Sequence, residues 1–179
     1  MKRLPKTRTG VLLVLTATLS CSAAKSENSA GDSDTFLAFA TSFAGYRSWS
    51  HAPATATNAP SGLHTSGPMT VYWNKPPPHG STEFPIGTII VKETDPGVTP
   101  AQIFAVVKRG GGYNAAGAHD WEWFELQTAD SGSVVILWRG VGPPNGETYG
   151  GDPTTCNTCH GQASSNDFVW SSALQLAAF

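Results

Sequence analysis

Apolar and polar positions follow three textures along the chain. The first is a basic start, Met1-Lys-Arg-Leu-Pro-Lys-Thr-Arg8, followed by the apolar run Val11 to Leu19, which ends in small residues. This run is too short to span a bilayer as a stable helix and predicts a signal peptide over residues 1–24. Residues 25–34 are small and polar and predict a flexible tether, leaving a domain over 35–179. In the second texture, Phe36, Leu37, Phe39, Ala40 and Phe43 recur at helical spacing behind Asp34 as an N-cap, and Gly45 stops them. An irregular stretch rich in Ala, Thr, Pro and Gly then runs to Pro68 and carries His51 and His64.

From Met69 onward the texture is β. The runs Met69–Asn74, Gly87–Glu93, Ala101–Arg109, Asp120–Gln127 and Ser133–Arg139 are rich in branched and aromatic residues. They are separated by Lys75-Pro-Pro-Pro-His-Gly80, by the glycine turn 110–112 and by other breakers that neither strand nor helix continues through. Strand alternation places Trp121 and Trp123 on one face and Glu122 and Phe124 on the other. It likewise separates Ile90 and Lys92 from Ile89, Val91 and Glu93. These neighbours are too apolar for both faces to be wet, so one of the two charges is expected to point inward. Closely spaced strands without intervening helices predict an α+β fold, mainly one antiparallel sheet, with helices at both ends of the chain.

Charge and cysteine usage narrow the function. The whole chain has net charge −2, but residues 1–24 hold four of the eleven Lys/Arg and no acid, leaving seven bases against thirteen acids, a net −6. An acidic surface argues against nucleic acid and favours a basic redox partner. Of three cysteines, Cys21 lies in the leader. It resembles the acylated cysteine of a bacterial lipoprotein, with cleavage after Ala24 as the alternative. The expectation is an exported protein, periplasmic or on the outer surface, with a lipid anchor as one outcome. Cys156 and Cys159 then form no disulfide framework with any other thiol.

Those two cysteines stand in Cys156-Asn-Thr-Cys-His160, after the proline and glycine cluster of 140–153 and at the expected start of a C-terminal helix. Cys-x-x-Cys-His is the attachment signature of one haem c: two thiols one helical turn apart face the two vinyl groups of a porphyrin, and the histidine ligates iron. A structural zinc site, a disulfide turn and a thioredoxin-like pair compete. Zinc lacks a second cysteine pair, and the redox motif lacks its βαβ context.

The sixth iron position decides reactivity. Met69 begins a strand and reads as core filler, and His51, His64, His79 and His119 lie in loops as ordinary solvated residues. The iron is therefore expected to be open on one side. Lys92 has two readings, a lysine snorkelling from a strand end and a functional amine.

The set Tyr46-Arg47-Ser48-Trp49, Val71-Tyr72, Gly87-Thr-Ile-Ile-Val-Lys92-Glu93, Trp121 and Phe124, and Cys156-x-x-Cys-His160 with Asp167-Phe-Val169 resembles the cytochrome P460 family and the related cytochromes c′-β. The resemblance spans about residues 36–172. It implies an antiparallel β domain carrying one haem c, usually in a homodimer, with Lys92 bonded covalently to the porphyrin edge. The implied chemistry is oxidation of hydroxylamine or nitric oxide with an electron-transfer partner protein, or, in the c′-β branch, reversible nitric oxide binding at an apolar site. A simple electron carrier is the remaining reading. The distal carboxylate of the hydroxylamine-oxidising members aligns with Ala105, which cannot accept a proton, leaving Glu122 or His119 as substitutes. Phe104, Trp123 and Phe124 are candidate walls of the distal space.

Overall fold

The computed structural model describes residues 34–55, 64, 67–99, 101–145 and 155–179. The signal segment with Cys21 and the tether up to residue 33 lie outside them. The fold is α+β: a six-stranded antiparallel meander with few helices. The strands are β1 Ser50–Thr55, β2 Pro68–Trp73, β3 Ile89–Thr94, β4 Ile103–Lys108, β5 Trp121–Thr128 and β6 Val134–Gly140, each paired with the next. The α-helix α1 spans Thr155–Gly161. No helix among the described residues is long and apolar enough to cross a membrane.

Strands β2 to β6 fall within two residues of the boundaries that composition predicts. β1 is the addition. Ser-His-Ala-Pro-Ala-Thr has no apolar alternation and contains Pro53, a residue tolerated at a sheet edge because no ladder hydrogen bond is demanded of it on the open side.

The sheet has apolar side chains on both faces, and the two ends of the chain cover one each. On the first face Val71, Ile90, Trp121, Trp123 and Trp138 pack with Phe84, Ala118, Val169, Leu174 and Leu176. On the second, Ile89, Val91, Ala105, Val107, Phe124 and Leu126 pack with Ala38, Phe43 and Tyr46. Register fixes this division, because cross-strand partners share a face: Val71, Lys92, Phe104 and Glu125 form one row, and Trp73, Ile90, Val106 and Trp123 the next. Both Trp121 and Trp123 take the first face and Phe124 the second, as alternation requires.

The expected N-terminal helix is a correction. Thr35 bridges to Gly110 and Phe36 N donates to Arg109 O at 2.8 Å, so the segment enters extended along the sheet end. Only Ala40–Phe43 coils, as one 3₁₀ turn. The aromatic stripe also divides, with Phe43 fully buried and Phe39 62% exposed, so no single helical face organises it. Gly110 at φ 75° makes this entry possible: a Cβ there would collide with Asp34 O and Ile86.

Candidate functional site

Helix α1 lies against the first face of the sheet, and its Cys156 packs on that core. Both thiols are free and half-buried. Burial pushes the Cys156 thiol up to about 11, against a lowering influence from its own backbone and from Lys92. Asn157, the residue after the first cysteine, fastens the helix. Its Oδ1 accepts from Trp123 Nε1 at 3.0 Å, Asn114 Nδ2 at 2.8 Å and Ala118 N at 3.2 Å, while its Nδ2 donates to Asn114 Oδ1 and Val141 O. A Cβ at position 117 would collide with that amide, which accounts for Gly117.

His160 is held on two sides. Its ring stacks at a tilt on Trp123, centroids 4.5 Å apart, and its Nδ1 lies 2.7 Å from Phe168 O. A carbonyl only accepts, so Nδ1 carries the hydrogen and Nε2 is left with its lone pair, the tautomer a metal ligand requires. Burial lowers the imidazole to about 4, with the Phe168 bond opposing and the Lys92 charge assisting, so the ring is neutral near pH 7.

The carbonyl that sets this tautomer belongs to a strained turn. Asp167 and Phe168 have φ of 49° and 64°, which side-chain-bearing residues seldom adopt. The Asp167 carboxylate anchors it, accepting from Lys108 Nζ at 2.7 and 2.9 Å, from Phe84 N at 2.9 Å and from Trp121 Nε1 at 3.3 Å. Burial raises the Asp167 carboxyl from its ordinary value, and these donors oppose that rise.

Lys92 faces the same side. Its ammonium lies 5.9 Å over the Phe104 ring, and burial lowers the amine to about 8, with Cys156 acting in the opposite direction. Glu93 takes the other face and pairs with Arg47 at 2.5 and 2.9 Å. Each face thus receives one of the two charges, and both are half-buried.

His64, expected as a solvated loop residue, is the principal correction. Its ring packs edge-on against Phe104, centroids 5.2 Å apart, and its Nδ1 is buried with no hydrogen-bond partner among the described residues. It feels the charges of Lys92 and His160, and burial chiefly lowers it to about 3. Lys92, Phe104, His64, Cys156, Trp123 and His160 therefore belong to one region.

Family models, curated proteins and solved structures give no match to the chain.

Other sequence expectations separate from this region. Ala105 pairs with Val91 and is buried in the second-face core, so it cannot stand over a group held by His160. Glu122 is on that second face too, 2.7 Å from both Arg139 Nε and Nη2 and 3.4 Å from Arg109. Phe124 packs on Phe43 there, centroids 5.2 Å apart, and is no wall of the site. His119 is exposed beside Asp120, and His51 bonds to Trp49 O. Phe104 and Trp123 do line the site. Among the described strand residues Glu125 puts a carboxylate on the first face, two residues beyond Trp123 and bonded to Trp138 Nε1 at 2.8 Å. The same alternation that places Trp123 would have found it.

Among the described residues no three His, Cys, Asp or Glu side chains are grouped so as to hold a metal ion by themselves. The donor set instead suits a porphyrin: two free thiols one turn apart, a neutral imidazole with Nε2 uncommitted, and apolar strand residues beneath them.

Proposed function

We propose that the chain is an exported c-type cytochrome of the P460 kind, carrying one haem c and acting on hydroxylamine or nitric oxide. The observation that carries the reading is the His160 Nδ1 bond to Phe168 O, which leaves Nε2 free to ligate beside two free cysteines. Cys156 and Cys159 would hold the macrocycle and His160 its iron. Haem c, when bound, supplies a redox-active iron able to take a small nitrogenous ligand.

The protein's own part is to shape that site. Trp123 and the Phe168 carbonyl fix the His160 ring, and Phe104, Val106 and Ile90 keep the face apolar, which favours small neutral ligands over water. Lys92, lowered toward neutrality, presents a nucleophilic amine on the cysteine side and supports the family's second covalent attachment at this position. Oxidation of hydroxylamine needs a proton acceptor. Glu125 Oε2, oriented by Trp138, supplies a carboxylate on the haem face, so the alanine at 105 does not argue against the enzyme.

The apolar lining also favours a second reading, reversible nitric oxide binding without turnover. A basic electron-acceptor protein and a homodimer complete the proposal. The test is the ferrous absorption spectrum and haem-peptide mass of the mature protein, followed by hydroxylamine-dependent reduction of an acceptor dye. Steady turnover supports the oxidase. Nitric oxide binding without turnover leaves the storage role, and a protein that matures without haem sinks both.

A further inference from the structure

We propose that His64 is the sixth ligand of the haem iron, displaced when a small ligand arrives, so that the distal side is held by an imidazole rather than standing open. The inference rests on the haem reading above. Three observations carry it. His64 Nδ1 is buried and unpartnered among the described residues, and a buried polar nitrogen without a partner costs stability unless something coordinates it. Its ring packs against Phe104, which belongs to the same row as Lys92 and to the same face as Trp123, on which His160 stacks. And it lies near enough to Lys92 and His160 for both to influence it electrostatically, with Lys92 itself over the Phe104 ring on which His64 packs.

In sequence His64 stands between β1 and β2, whereas His160 stands on α1, so the two imidazoles come from independent parts of the chain. Exchange of His64 for a small ligand forms one iron–ligand bond as it breaks another and needs no electron or proton from elsewhere. The device would slow entry of nitric oxide and keep water off the iron at rest.

The experiment compares the wild-type holoprotein with His64→Leu and His64→Gln, after the pyridine haemochrome assay has established haem content in each. Wild type should show the low-spin optical and EPR spectrum of two axial imidazoles. Both variants should be high-spin, and added imidazole should restore the low-spin spectrum. Carbon monoxide association with the ferrous variants should be about tenfold faster or more, because wild type binds only while His64 is dissociated. A wild-type protein that carries haem and is already high-spin, with spectrum and association rate unchanged in both variants, overturns the ligand role and leaves the haem reading intact. Absence of haem from wild type overturns the two together.

Discussion

Lys108 and Asp167 form a buried ion pair, 2.7 Å long and about 5% exposed or less on each side, directly before the carbonyl that orients His160. The pair joins the end of β4 to the left-handed turn at Asp167 and Phe168, so the sheet itself aims Phe168 O at Nδ1. Lys108→Met would leave a desolvated carboxylate and is expected to cost about 3–5 kcal/mol, read by denaturant melts. Asp167→Asn keeps two of the acceptor contacts and should cost less. In both, a freed His160 ring should change the reduction potential and the axial-ligand signature of the holoprotein, which a distant lesion of equal cost would not.

Asn157 concentrates five hydrogen bonds on one amide between the two cysteines. Asn157→Ala strands Trp123 Nε1 and Ala118 N and is expected to lower stability by about 2 kcal/mol or more. Gly117→Ala should reproduce much of that loss by pushing on the same amide. The check is thermal unfolding together with the yield of covalently attached haem, which should fall in both.

Glu122 is buried but faces away from the site, bridging Arg139 and Arg109 while Arg139 Nη1 donates to Ala38 O. Glu122→Gln should therefore destabilise by about 1–3 kcal/mol through weaker charge-assisted bonds. It should leave the haem spectrum and hydroxylamine turnover unaltered. Glu125→Gln should do the reverse, sparing stability and reducing turnover; loss of turnover in Glu122→Gln at full stability would contradict this division of faces.

Lys92 has a pH signature. In a chain freed of haem by replacing both cysteines, burial holds the amine at about 8 against an ordinary 10.5, beside Cys156's position and His64. Between those values the unfolded chain binds more protons than the folded one, so stability rises with pH from about 8 to 10.5 and the penalty is fully present below. Lys92→Met should raise stability below pH 8 and flatten that slope. Denaturant midpoints across this range are the measurement, and an unchanged slope would place the amine in water.

Much of this was readable in the chain because strands announce themselves by composition and period. Alternation alone puts Trp123 and Lys92 on their faces, and the Cys-x-x-Cys-His spacing singles out Cys156, Cys159 and His160 as candidates. Ala105 misled through a single-residue offset: Lys92 pairs with Phe104, so its neighbour at 105 points to the opposite side. His64 left no trace in pattern, since its burial comes from contact with Phe104 on a strand far away in sequence. The N-terminal aromatics suggested a helix because Phe36 and Phe43 are a helical distance apart. Their partners on the sheet, and the bridge from Thr35 to Gly110, impose an extended path instead.

The irregularity where β5 meets β6 has a consequence for how this chain tolerates change in length. Glu125 pairs with Trp138 but Leu126 with Ile136, so Leu137 is an extra residue in the last strand. That single residue lets Trp138 fill the first-face core while Ile136 and Val134 pack on the opposite one. Were Leu137 instead part of a regular ladder, strict alternation would put all three on one side of the sheet. Loss of Leu137 would remove the irregularity and leave Trp138 and Ile136 on their opposite faces, so a one-residue deletion is tolerated here that would flip side chains in a regular stretch of the strand.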